Sequence, residues 1–94
     1  MKIIELDLTG CKGLSEIHER IRVSFNFPVW YGRNWSAFWD LLWSECDADK
    51  VIIKGEHTLP NELSGARDKL HEILERNRKE YLDTDTPFDY EVQS

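Results

Sequence analysis

Apolar and polar positions change period several times along this 94-residue chain, and each change marks an element. From Lys2 to Leu8 they alternate, with Ile4, Leu6 and Leu8 on one side and Glu5 and Asp7 on the other. Strict alternation predicts a half-buried strand. After the loop Thr9–Gly13, Leu14, Ile17, Ile21 and Phe25 recur at helical spacing. They predict a helix over Ser15–Ser24 that starts near Gly13 or Ser15. Phe27-Pro28 makes a turn. Asn34, whose side chain suits the open N–H groups of a helix start, then predicts a second helix reaching Trp43 or Glu45.

Val51-Ile52-Ile53 is apolar on both sides of a short strand window, the mark of the central strand of a sheet. Pro60 suits a first helical turn, and Leu63, Ala66, Leu70, Ile73 and Leu74 keep the helical period after it. A break near Ser64-Gly65 divides that region into a short helix and a long one. Phe88, Tyr90 and Val92 alternate with acids, giving a third strand with those three inward. Helices between successive strands require parallel pairing through right-handed crossovers. The expected fold is therefore α/β: a three-stranded parallel sheet covered by helices, in the order β-α-α-β-α-α-β. The length allows one core, so residues 1–94 are expected to form a single small domain.

Candidate chemistry concentrates in one stretch. Eight of the eleven aromatics, including all four tryptophans, lie between Phe25 and Trp43. A helix turns about 100° per residue, which places Trp35, Phe38, Leu41 and Leu42 on a buried stripe. Trp39, Trp43, Ser36 and Asp40 fall together on the neighbouring flank. Ahead of the helix stands a second aromatic pair, Trp30-Tyr31, in the glycine-bearing loop Tyr31-Gly32-Arg33-Asn34. Any one tryptophan here has an ordinary use as core. Two of them bordering a carboxylate point instead to a protein interface, because Trp and Tyr bring area and a polar handle at low entropic cost.

Charge narrows the classes. Twelve basic against eighteen acidic residues give a net charge of −6, which argues against a nucleic-acid binder and against docking on anionic lipid. It suits a strongly basic partner. Residues 80–94 hold five of the acids and no base, so the charge near the aromatics comes from the local run Asp40, Glu45, Asp47 and Asp49. Cys11 and Cys46 form no CxxC pattern and read as free buried thiols of a reducing compartment. His18, His57 and His71 match no metal-ligand spacing, and no nucleophile motif or phosphate-cradling loop is present. Neither a metal, a cofactor nor a catalytic site is expected. The charges after Met1 do not fit a signal-peptide core, and no apolar run has the length of a membrane span. The expected address is cytoplasmic.

The stretch from Phe27 to Leu42 resembles the signature of the barstar family, intracellular bacterial inhibitors of a secreted ribonuclease. The likeness rests on Pro28, the aromatic pair, Tyr31-Gly32-x-Asn34, and Ala37-x-Trp39-Asp40 on the following helix. The resemblance implies a protein that plugs the active site of a basic ribonuclease or nuclease toxin domain in a 1:1 complex, with no direct contact to nucleic acid. Asp40 would stand where an RNA phosphate stands, and Trp30 would stack on the enzyme's catalytic histidine. Trp39 would pack beside Asp40, while Gly32 and Asn34 would shape the entering loop. The family's further glutamate on the last long helix corresponds to Glu75, with Glu72 as its neighbouring candidate. Two positions depart from the pattern: Ser36 replaces an aspartate, and Arg33 places a cation in the presumed acidic patch. Both suggest a nuclease partner other than the best-known one, with Arg33 acting in selectivity. Trp43 and Glu45 extend the expected contact surface. Two other readings use the same residues: a non-inhibitory protein-binding module, and an RNA-binding domain stacking bases on Trp30 and Trp39.

Overall fold

A computed structural model describes residues 2–93. Its elements run β1 (Ile3–Asp7), α1 (Leu14–Phe25), α2 (Trp35–Glu45), β2 (Lys50–Lys54), two 3₁₀ turns (Glu56–Thr58 and Asn61–Leu63), α3 (Ser64–Glu80) and β3 (Asp89–Gln93). The strands form one parallel sheet in the order β1-β2-β3. The apolar run at Val51–Ile53 thus lies on the central strand, as its composition predicts. Pro60 precedes the second 3₁₀ turn, and the long helix begins directly behind it at Ser64. The short helical piece is this 3₁₀ turn; the one at Glu56–Thr58 had no clear signal in the sequence.

The register pairs Ile4 with Val51 and Leu6 with Ile53 on one side, and β3 adds Tyr90 and Val92 to that side. There they meet Ile17, Ile21 and Phe25 from α1, Phe38 and Leu42 from α2, and Leu70, Ile73 and Leu74 from α3. The other side carries charge pairs instead, Lys54 to Glu5 at 3.1 Å and Lys50 to Glu91 at 2.6 Å. Ile52 lies among them, half-buried. A central strand apolar on both sides is therefore covered on only one: the helices take the inner face and long charged side chains screen Ile52 on the outer.

Two expected apolar positions, Val92 and Leu14, need correction, while Tyr90 faces inward against the core as expected but is only half-buried. Val92 has the inward register but stays 42% exposed at the end of an edge strand. Tyr90 is half-buried, holding its ring against α3 and its hydroxyl outward to Glu75. Leu14, at the start of α1, is exposed, and the buried place on that helix belongs to His18. Cys11 is buried, Cys46 is half-buried, and both are free; burial pushes each thiol above its ordinary range, which makes them poor nucleophiles.

Candidate partner-binding site

The loop between α1 and α2 is built to push two apolar side chains outward. Asn26 ends α1 in the left-handed conformation, and the Phe27 N–H returns to the Arg22 carbonyl at 2.9 Å. Phe27 and Tyr31 are both buried, and between them the Tyr31 N–H closes a turn on the Pro28 carbonyl at 3.0 Å. Val29 and Trp30 sit at the corners of this turn and are 84% and 72% exposed. Free-standing aromatic area of that size invites a partner.

Tyr31 anchors the loop from below. Its hydroxyl lies 2.7 Å from Nδ1 of His18, a fully buried residue of α1 whose ring also packs on Trp35 with centroids 4.5 Å apart. The hydroxyl is also 3.5 Å from the Asn34 carbonyl, to which it can donate when His18 supplies the Nδ1 proton. Burial pushes the Tyr31 phenol well above its ordinary range. Burial first, and then the charge of Arg33, lower the His18 pKa below the ordinary 6.5. His18 is thus neutral near pH 7, as a core position requires.

Arg33 closes the loop in a left-handed backbone conformation, φ 51°, and its guanidinium donates to Glu19 at 2.7 Å. Glu19 also accepts from Arg22, and these bonds, Arg22's first, pull its carboxyl down to about 2. The cation that departs from the family pattern is therefore already matched by an acid on α1. Asn34 then caps α2: its side chain accepts from the Ala37 N–H at 2.7 Å and donates to the Gly32 carbonyl at 3.2 Å. A Cβ on Gly32 would lie 3.2 Å from the Asn34 amide nitrogen and 3.3 Å from the Ala37 methyl, so a bare residue lets loop and cap pack closely.

On α2, Phe38, Leu41 and Leu42 are buried and Trp35 is half-buried against the core, the stripe the helical wheel predicts. Ser36 and Asp40 are exposed on the adjoining flank, Trp39 is half-buried, and Trp43 is 47% exposed. Trp39 stacks on Trp43 with centroids 5.9 Å apart, and Trp43 continues to Tyr81 behind α3 at 5.4 Å. Trp35, Ser36, Trp39 and Asp40 line one wall of a groove of about 250 Å³, and Lys69, Glu72, Ile73 and Arg76 of α3 line the other. Arg76 lies over the Trp39 ring, its guanidinium carbon 4.4 Å from the centroid. Among the described residues the Asp40 carboxylate has no ion-pair partner.

Several expected contributors stand elsewhere. Glu75 turns toward β3, where Arg78 grips it at 2.6 Å and Tyr90 donates to it at 3.3 Å; its carboxyl is held below the ordinary range chiefly by Arg78. Glu72 is the acid of α3 that shares the groove with Asp40. Asp47 is paired with Lys2 at 2.5 Å, and Asp49 accepts the Lys2 backbone N–H at 2.7 Å. The acidity after α2 is thus partly spent on Lys2, just ahead of β1, while Glu45 is exposed at the helix end. His18, Lys69 and Arg76 join this region without having been expected in it: His18 matches no ligand spacing, and Arg76 belongs to the basic patch Arg76-Asn77-Arg78-Lys79, whose pattern is that of solvated surface. A signal existed for His18, which shares the apolar face of α1 with Ile21 and Phe25. Arg76 sits on the α2-facing side of α3, one turn after Ile73, but nothing local distinguishes it from a solvated cation.

These elements make a small parallel α/β domain that presents an exposed aromatic loop and a capped helix, whose Asp40 carboxylate has no ion-pair partner among the described residues. Comparison with known proteins places it: residues 1–93 match the family described as Barstar (barnase inhibitor), and the chain belongs to that family. It is 25% identical over 84 residues to the Bacillus subtilis (strain 168) protein named "Putative ribonuclease inhibitor YrdF", an alignment covering 88% of this chain and 92% of that one. No helix among the described residues is long and apolar enough to cross a membrane.

Proposed function

We propose that this chain is an inhibitor that binds and blocks the active site of a bacterial ribonuclease or nuclease toxin, in a 1:1 complex, without catalysing a reaction itself. In this role it protects the cytoplasm that makes the nuclease. The carrying observation is Asp40: exposed, unpaired among the described residues, and set beside Trp39 on a helix whose start is fixed by Asn34. A cleft that binds polyphosphate is basic, and a carboxylate presented by a rigid helix can take the place of a phosphate there. Family membership and the name of the Bacillus subtilis relative both support the reading.

Trp30 supplies the apolar anchor at the loop tip, with Tyr31, Gly32, Arg33 and Asn34 holding the loop. Ser36, Trp43, Glu45 and Glu72 widen the contact along the helix flank and the groove, while Glu75 acts by keeping α3 and β3 together. Buried anchors of this kind are the hot spots of interfaces and cost about 2 kcal/mol or more when truncated. Asp40→Ala and Trp30→Ala are therefore each expected to raise the inhibition constant against the cognate ribonuclease at least about 30-fold. Retention of full inhibition by both variants overturns the assignment of the site.

A further inference from the structure

The groove between α2 and α3 is not a plain anion. Asp40 and Glu72 share it with Lys69 and Arg76. Lys69 stands at a loose 3.7 Å from Glu72. Arg76 is the arginine that forms no hydrogen bond and no ion pair among the described residues. Arg20 reaches the Asp7 and Thr9 carbonyls, Arg22 and Arg33 hold Glu19, Arg67 meets Asp68, and Arg78 holds Glu75. Arg76 instead lies over the Trp39 ring, a contact that leaves its N–H donors unspent. Asp40 and Arg76 are thus two opposite charges lining one groove, and among the described residues neither forms an ion pair, with the other or with any third group.

We infer that the partner of this groove carries a carboxylate beside its cations, the cations meeting Asp40 and the carboxylate meeting Arg76. The inference rests on the reading of the groove as the nuclease-binding site. A partner presenting cations alone would gain at Asp40 and be repelled at Arg76 and Lys69. A partner presenting both signs satisfies both, and the guanidinium fork matches a carboxylate in two parallel hydrogen bonds. The chemistry of RNA cleavage supplies such a surface: cations hold the phosphate, and a carboxylate can serve as the base that takes the 2′-hydroxyl proton. Arg76 then becomes a specificity-determining residue, favouring nucleases whose cleft has an acid within reach and disfavouring purely basic ones.

The two possibilities give opposite signs for one substitution. Arg76→Met keeps an apolar stem on Trp39 and removes the charge. Its inhibition constant is measured against a secreted bacterial ribonuclease that the unaltered chain inhibits, beside Arg76→Glu and Asp40→Asn, with urea midpoints confirming that each variant is folded. Arg76→Met is expected to weaken inhibition about tenfold, and Arg76→Glu further still. Inhibition that is unchanged or tighter in Arg76→Met overturns the inference while Asp40→Asn still weakens binding. An Asp40→Asn variant that inhibits as well as the original chain overturns the reading of the site, and the inference falls with it.

Discussion

Two residues show how unequally a chain discloses its own constraints. Asn34 is legible: an amide side chain ahead of a helical pattern is a cap, and the structure has it accepting the Ala37 N–H at 2.7 Å. Asn34→Ala is expected to lower stability by about 1 kcal/mol, read as a reduced urea midpoint at unchanged slope. The same substitution releases the Gly32 carbonyl, so it should also weaken partner binding through a looser Trp30 loop. Gly55 is not legible. It takes φ 73° after β2, and a Cβ there would lie 2.1 Å from the Thr9 hydroxyl and 2.6 Å from the Thr9 backbone nitrogen. Only the folding of the β1–α1 loop against the end of β2 creates that demand. Gly55→Ala combines a left-handed backbone with a backbone clash, and a loss of at least about 2 kcal/mol is expected in chemical denaturation. An unchanged midpoint would contradict the packing of the two loops.

At the scale of elements, the faces of the helices could be read from the sequence and their partners could not. The wheel separates Phe38, Leu41 and Leu42 from Ser36 and Asp40 because burial follows the helical period. It does not tell which acid of α3 faces Asp40, since both Glu72 and Glu75 lie on exposed turns of the pattern. The order of packing around β3 decides that Glu75 serves Arg78 and Tyr90. The sheet makes the same point, because Ile52 is as apolar as its neighbours yet lies under lysines and glutamates. The His18–Tyr31 bond, which fastens α1 to the loop ahead of α2, joins residues whose local patterns are ordinary.

The burial of His18, with the charge of Arg33 beside it, carries a dependence on pH. The folded pKa of His18 lies below the ordinary 6.5, so between the two values the unfolded chain binds the extra proton. The contribution is complete above the unfolded pKa and is lost as pH falls from there toward the folded value. Glu19, pulled down to about 2, acts in a lower window: its contribution is present above the ordinary 4.5 and lost as pH falls toward 2. An NMR titration should place the His18 midpoint below the model-peptide range. The loss of stability on moving from pH 7.5 to 5.5 should also be smaller in His18→Leu than in the unaltered chain. A His18 midpoint at or above the ordinary value would contradict the buried neutral ring.

For the whole molecule, the −6 net charge describes little of the proposed recognition surface. Five acids lie in residues 80–94, Asp47 and Asp49 are engaged by Lys2, and the groove itself balances Asp40 and Glu72 against Lys69 and Arg76. What the molecule offers a partner is geometry: Trp30 at a rigid turn, Asp40 about 9 Å further along the helix axis than its cap, and mixed charge across the groove. Association should therefore be less sensitive to salt than an all-acidic surface would make it, measured as the slope of the on-rate against ionic strength. The most direct measurement is a titration of ribonuclease activity with the purified chain, using a nuclease encoded in the adjacent reading frame. The expected result is RNA cleavage that falls in proportion to added chain and stops at equimolar amounts. Cleavage that continues under excess chain, while the chain itself retains labelled RNA at low salt and releases it as salt rises, would contradict an active-site inhibitor and identify an RNA binder instead.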